Sequence, residues 1–317
     1  MPQQSGQADF PLQVSGLNKR FGQHAVLKDL ALEVQPGAIH GLVGLNGSGK
    51  TTTLECLLGL QHADAGDIRL LGLRPDQLHQ SHGDVVAIFD SPSLPPQLTV
   101  RQALEHASLL CENPVRKPAD VEALLGISQY RDFRIRNLSL GNRRRASIAH
   151  ALMGSPRFVL LDEPFNGLDA GGVDDVLALI RDLNRDEGTA FLLSSHQLPY
   201  LEKICSHFSI LHEGKIALSD SLDRLLGQQV NRLQVICDDV VRACALVQDM
   251  AGVVIEENSG NGRLTLQLNG VTPAAVNQRL VSKGIAVDEL VRERSSLSSL
   301  FQSITAQRSD TPAEDAA

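Results

Sequence analysis

The segment Gly44-Leu-Asn-Gly-Ser-Gly-Lys50-Thr51 constrains this chain more than any other, because it fits the spacing GxxxxGK[ST]. Its chemistry works only between a strand and a helix. An apolar run, Ala38–Val43, precedes the loop and reads as a buried strand; Lys50–Leu60 follows and reads as a helix with Gly59 near its end. Gly44, Gly47 and Gly49 let the backbone turn its N–H groups inward around an anion, with Asn46, Ser48 and Thr52 in the same cradle. The helix adds the positive end of its dipole. At this spacing Lys50 reaches the β- and γ-phosphates of a nucleotide, and the Thr51 hydroxyl is a ligand for Mg²⁺. A glycine-rich turn with a chance lysine would be the plainer reading, but the flanking strand and helix favour the phosphate loop.

A second segment supplies acids. Phe158-Val-Leu-Leu-Asp162-Glu163-Pro164 is an apolar strand ending in two carboxylates. Asp162 at the strand end is placed to hold Mg²⁺, and Glu163 to polarise an attacking water. Alone, this would be an ordinary strand with an acidic turn. The phosphate loop upstream reverses that judgement.

Around these motifs, short β-branched runs alternate with helical patterns from about residue 11 to 220, within a first domain read as 11–226. Thr189–Leu193 is another buried-strand run, and Asp174–Leu183 carries Val176, Leu177, Ile180 and Leu183 on one helical face. The alternation predicts a mainly parallel sheet covered on both sides. Pro92, Pro95 and Pro96 mark an irregular loop. Val100–Leu110 and Asp120–Leu125 follow as helices of a helical subdomain at about 95–155. Composition shifts near 226–231. From there the order is strand Arg232–Ile236, helix Val240–Met250 stopped by Gly252, and strands Val253–Glu257 and Arg263–Leu268 around the turn-rich Asn258–Gly262. Helix Thr272–Lys283 comes next, with Thr272 as N-cap, Pro273 first and Gly284 as stop, then strand Ile285–Val291 and helix Ser296–Thr305. This β-α-β-β-α-β order predicts a small ferredoxin-like α+β domain over 227–306. Residues 1–10 and 307–317 read as polar tails.

Further segments line up in the order of the ABC ATPase family, which residues 11–220 resemble. Leu138-Ser139-Leu140-Gly141-Asn142 resembles the signature, Asn166-Gly167-Leu168-Asp169 the D-loop, and Ser194-Ser195-His196 the switch histidine. Phe21, in Lys19-Arg20-Phe21-Gly22 before strand Ala25–Val34, resembles the aromatic that stacks on adenine. The resemblance implies an α/β P-loop ATPase domain that binds ATP and Mg²⁺. Lys50, Glu163 and His196 would act at the γ-phosphate, with Thr51 and Asp162 holding the metal. Ser139 and Gly141 would contact the ATP of a partner subunit, so the resemblance implies a homodimer or pseudo-dimer across two ATP molecules.

The sequence departs from the family in two places. Asp90, in Phe89-Asp90-Ser91-Pro92, stands where a glutamine is usual; a carboxylate is a hard oxygen ligand, so Asp90 joins the metal candidates. Leu140 and Asn142 replace the signature's first glycine and its glutamine. A non-glycine there is common in the antibiotic- and lipid-exporter branch, and the C-terminal domain and Ser296–Phe301 resemble the daunorubicin- and bacitracin-exporter type.

The remaining features are blander. A formal net charge of -8 argues against nucleic acid as a partner. Arg131, Arg134, Arg136, Arg143, Arg144 and Arg145 cluster around the signature and read first as a solvated helical face, second as a contact to phosphate or a membrane subunit. His79 and His82 could share a helix face as metal ligands, but surface histidines are the simpler reading. Five cysteines without a CxxC pair fit reduced thiols. No apolar run is long enough to span a bilayer and no secretory signal is read at the start. A transport role therefore implies a separate polytopic permease, with this subunit peripheral on the cytoplasmic face of the inner (plasma) membrane. The competing readings are a non-transport ABC ATPase of translation or DNA maintenance, a nearly inactive ATP-binding regulator, and an importer subunit.

Overall fold

The computed structural model describes residues 10–90, 94–111, 115–227, 231–258, 262–293 and 296–306. The chain divides into two compact units, Met1–Leu222 and Asp223–Ala317.

The first unit runs β1 (Leu12–Phe21), β2 (His24–Val34), β3 (Ile39–Val43), α1 (Lys50–Leu57), β4 (Ala65–Leu70), β5 (Val85–Ile88), α2 (Val100–Leu110), α3 (Pro118–Leu124), α4 (Leu140–Ala151), β6 (Phe158–Asp162), α5 (Ala170–Glu187), β7 (Ala190–Ser195), α6 (Leu198–Leu201), β8 (His207–His212) and β9 (Lys215–Ser221). Six strands form one sheet in the order β5-β6-β7-β3-β8-β9. All pairings are parallel except β8 with β9. Every residue of β3, β6 and β7 is buried, as strands covered on both faces must be.

The expectation of one mainly parallel sheet is incomplete. A second, antiparallel sheet of order β2-β1-β4 packs its Leu12, Leu30 and Ile68 into the same core as Phe158, Leu160 and Leu192. β4 passes so close to β1 that a Cβ at Gly66 would lie 2.7 Å from the Gly16 carbonyl oxygen and from Leu17 Cα. The helix expected to reach Leu60 ends at Leu57, because Gly59 turns left-handed at φ 71° and its N–H closes on the Cys56 carbonyl. α2 begins with a reciprocal cap: Thr99 Oγ1 accepts from the Gln102 N–H and the Gln102 side chain accepts from the Thr99 N–H. The segment Ser91–Ser93 of the proline loop, with Pro92, lies outside the described residues.

After α7 (Leu222–Gly227), the second unit runs β10 (Asn231–Cys237), α8 (Val240–Gln248), β11 (Val253–Asn258), β12 (Arg263–Leu268), α9 (Pro273–Ser282), β13 (Val287–Glu293) and α10 (Leu297–Ala306). Its sheet has the order β11-β12-β10-β13 with antiparallel pairing throughout, the ferredoxin-like arrangement. Leu233, Val235, Leu264, Leu266, Val276 and Leu280 form its own core. Thr272 caps α9 through its hydroxyl to the Ala275 N–H, with Pro273 at the first position. Residues 259–261 of the expected β11–β12 loop lie outside the described set, as do 1–9 and 307–317.

Candidate functional site

Parallel strands end their side chains' run together, and here the carboxyl ends of three neighbours, β6, β7 and β3, carry the chemistry. The register sets Asp162 beside Ser194 and Val43 beside Ser195. β3 therefore delivers the glycine loop, β6 delivers Asp162 and Glu163, and β7 delivers Ser194, Ser195 and His196 to one cleft. That cleft holds about 580 Å³ and is lined by Phe21, Val26, Asn46, Gly47, Gly49, Lys50, Thr51, Thr52, Asp90, Asp162, Glu163, Asn166 and His196.

The loop's geometry explains its residues. A Cβ on Gly44 would fall 2.3 Å from Ser48 Oγ and 2.7 Å from the Leu211 carbonyl oxygen. Gly49, at φ 108°, opens α1 without a side-chain cap, so the helix's first N–H groups face the cleft. Ser48 Oγ is buried with no partner among the described residues, which suits a phosphate oxygen. Lys50 is buried; its ammonium donates to the carbonyls of Gly44 (2.8 Å) and Leu45 (3.2 Å) and sits 3.7 Å from Glu163 Oε1.

Each acid is held by hydroxyls of β7. Asp162 accepts from Thr51 Oγ1 at 2.9 Å and from Ser194 Oγ at 2.8 Å. Glu163 accepts from Ser195 Oγ at 2.9 Å, and its other oxygen lies 2.8 Å from His196 Nδ1. Burial pushes the Asp162 carboxyl up from its ordinary range, against the hydrogen bonds of Ser194 and Thr51 that pull it down; Glu163 adds to the rise and Lys50 opposes it. A cation beside Asp162 would relieve that burial. Thr51 and Asp162 together offer the hard oxygen donors that Mg²⁺ takes. Among the described residues Glu163 is one of five non-glycine residues with positive φ, at 47°, fixed by its N–H to the Ser194 carbonyl.

Phe21 ends β1 at the cleft's mouth, half exposed, with Lys19 Nζ 4.9 Å over its ring. Asp90 reaches the cleft, but its carboxylate is taken up by Arg144 Nη2 at 2.6 Å and Asn166 Nδ2 at 3.2 Å. Ser139 is the N-cap of α4, accepting from the Asn142 N–H, and lies exposed with half-buried Gly141 beside it. These two are outside the cleft's lining.

The arginine cluster is not uniform. Arg131, Arg134 and Arg136 are exposed, as a solvated face should be, but Arg144 is 1% exposed. His79 lies in a short 3-10 turn over Pro75–Ser81 and His82 is its left-handed cap; both are exposed, and no cluster of metal-ligating side chains is found among the described residues. Ser194, Ser195, Asn166 and Gln197 are the supporting residues that sequence reasoning gave no role. The Gln197 side chain donates to Asn166 Oδ1 at 2.9 Å, closing a network across the cleft floor. Polar residues packed behind two acids were the available signal.

Comparison with known proteins agrees with this geometry. The model of the ABC transporter family matches residues 27–166. An uncharacterised ABC transporter ATP-binding protein of Bacillus subtilis, YdbJ, is 34% identical over 213 residues, covering 67% of this chain and 69% of its own. The bacitracin transport ATP-binding protein BcrA of Bacillus licheniformis is 27% identical over 295 residues, covering 92% and 95%. A solved ATP-binding subunit of an ABC transporter superposes with a TM-score of 0.63 at 26% identity, covering 68% of this chain and 92% of its own.

Proposed function

The chain belongs to the ABC transporter family as an ATP-binding subunit, and from that premise we propose that it hydrolyses MgATP as one half of an ATP-bridged dimer that drives a separate membrane permease, in the exporting direction. The observation that carries the hydrolytic reading is the joint placement of Lys50, Asp162, Glu163 and His196 around one cleft. Lys50 neutralises phosphate charge. Glu163, held from both sides by Ser195 and His196, takes the position of a base that orients and deprotonates water. His196 holds that carboxylate and offers its ring to the γ-phosphate. Thr51 and Asp162 would hold Mg²⁺, which supplies charge neutralisation to the phosphates when bound. Phe21 offers a ring for adenine, and Ser139 and Gly141 an N-terminal helix edge for the partner's nucleotide.

Among the described residues no helix is long and apolar enough to cross a membrane. The permease reading therefore rests on family membership. The exporting direction rests on Leu140 in the signature and on the C-terminal unit, through which the similarity to the bacitracin transport relative also runs. A dimer-stabilising or regulatory role is proposed for that unit.

The test is Glu163→Gln. Wild type should hydrolyse MgATP, and the variant should bind ATP while turning it over on the order of 10²-fold more slowly or less, accumulating as a nucleotide-dependent dimer in size-exclusion chromatography. Undiminished turnover would remove Glu163 from the mechanism. Purified from detergent-solubilised membranes with MgATP, the variant should bring a polytopic membrane protein with it; ribosomal or DNA-associated proteins alone would overturn the transport reading.

A further inference from the structure

We infer that Arg144 and Asp90 are a mutually dependent pair of positioning residues, in which Asp90 is the counter-charge of a buried arginine and not a ligand of the metal. The inference rests on the ATP-hydrolysing reading and adds to it how the signature helix is tied to the hydrolytic acids.

Arg144 lies on α4, which begins at the signature. Its side chain is buried, and among the described residues Nε has no partner. Nη2 donates to Asp90 Oδ1 and to the Asp90 carbonyl, both at 2.6 Å; Nη1 donates to the Phe89 carbonyl at 3.0 Å. Nη1 also lies 3.5 Å from the carbonyl oxygen of Asp162. A buried guanidinium needs a carboxylate close by, and among the described residues the one within ion-pair distance is Asp90. A glutamine at position 90 could accept one hydrogen bond but would leave the charge uncompensated. Asp90 therefore supplies the charge that the buried guanidinium of Arg144 requires.

The pair reaches the acids through a continuous path. The oxygen of Asp90 that binds Arg144 also accepts from Asn166 Nδ2. Asn166 Oδ1 accepts from the Gln197 side chain, the Gln197 N–H donates to Ser195 Oγ, and Ser195 Oγ donates to Glu163. A second contact holds the same segment. Leu140, four residues before Arg144 and so on the same helical face, closes over Gly167, where a Cβ would meet Leu140 Cδ2 at 2.4 Å. One face of α4 thus grips both Asp90 and the Asn166–Gly167 turn. Movement of α4, whose N-terminus is offered to a partner's nucleotide, changes the support of Glu163 in its own site.

The experiment compares full-length wild type, Asp90→Asn, Arg144→Gln and the double variant, using ATP hydrolysis, Mg²⁺ titration and thermal denaturation without nucleotide. Asp90 is half exposed, so its variant keeps the core intact. Asp90→Asn should lower kcat on the order of tenfold to a hundredfold, the range for a misplaced catalytic group. KM for ATP and the half-saturating Mg²⁺ concentration should stay within about twofold, because bound-state contacts are unchanged. The double variant, with both charges gone, should be faster than Asp90→Asn, and its melting temperature should fall by less than the sum of the single losses. An Asp90→Asn defect that disappears at high Mg²⁺ would make Asp90 a metal ligand and overturn the pair. So would additive losses in the double variant. A wild type without ATPase activity sinks the hydrolytic reading, and the melting cycle still decides whether the pair exists.

Discussion

His40 shows how a single residue can set the pH limit of this fold. It lies buried in β3, with Nε2 2.8 Å from Ser209 Oγ, which in turn meets Ser219 Oγ at 2.7 Å. Its Nδ1 is buried without a partner among the described residues, and the His207 ring stacks 6.2 Å away. Burial first, and the neighbouring charge of His207 second, push the imidazole down from 6.5 to about 3. Between those values the unfolded chain holds a proton that the folded chain refuses. Stability from this residue is therefore complete above the unfolded value and is lost as pH falls toward the folded one. Lowering pH from about 7.5 to about 5 should cost wild type about 2 kcal/mol through His40 alone. Urea denaturation at both pH values measures it: His40→Gln should show a pH difference smaller by about that amount, and equal differences would show that His40 does not carry the acid sensitivity. Residues of this kind are hard to see in sequence. Lys50, Thr51, Asp162 and Glu163 were legible because phosphate chemistry demands fixed types at fixed spacing. Arg143-Arg144-Arg145 is uniform as a string, yet successive helical positions point about 100° apart. That rotation leaves Arg143 half-buried, buries Arg144, and pairs Arg145 with Asp175 at 3.0 Å.

At the scale of elements, what the sequence conveyed followed how completely each element is buried. β3, β6 and β7 are buried at every position and read as continuous apolar runs. β4 begins Ala65-Gly66-Asp67, residues that signal a turn, so the sequence did not reveal the antiparallel sheet it completes; a φ of 109° and the close approach to Gly16 explain that glycine. Helices α2 and α3 were placed by periodicity, and besides their buried Leu104, Ala107 and Val121 they are tied by an ion pair. Arg101 on α2 donates twice to Glu122 on α3, each bond 2.6 Å, and Glu122 is 1% exposed. Removing the cation strands a buried carboxylate, whereas removing both charges strands nothing. Arg101→Ala should therefore destabilise the chain on the order of 3 kcal/mol, an upper figure because Arg101 remains 30% exposed and partly screened. Arg101→Leu with Glu122→Leu should cost less than Arg101→Ala in chemical denaturation. A double variant as unstable as the single one would mean the pair contributes packing and not charge.

At the scale of the whole molecule, the division at Leu222 separates chemistry from its proposed control. All the residues that line the cleft belong to the first unit, as do Ser139 and Gly141 on α4. The second unit closes a four-stranded sheet over its own apolar core of Leu233, Val235, Leu264, Leu266, Val276 and Leu280. A unit with a private core of this kind can fold alone, while a segment that borrowed its core would not. Residues 227–306 expressed by themselves should therefore melt cooperatively, with the circular dichroism of a mixed α+β protein. The chain cut after Leu226 keeps every group of the cleft, so its ATP turnover per site at saturating protein should stay within about threefold of full length. What the cut should weaken is the association of two chains: in the Glu163→Gln background, the protein concentration needed for the ATP-dependent dimer should rise. Sedimentation velocity across a dilution series reads that directly. An unchanged dimer, together with unchanged stimulation by the permease, would remove the second unit from both dimerisation and regulation, and a fragment 227–306 that fails to melt cooperatively would show that its core is not self-sufficient.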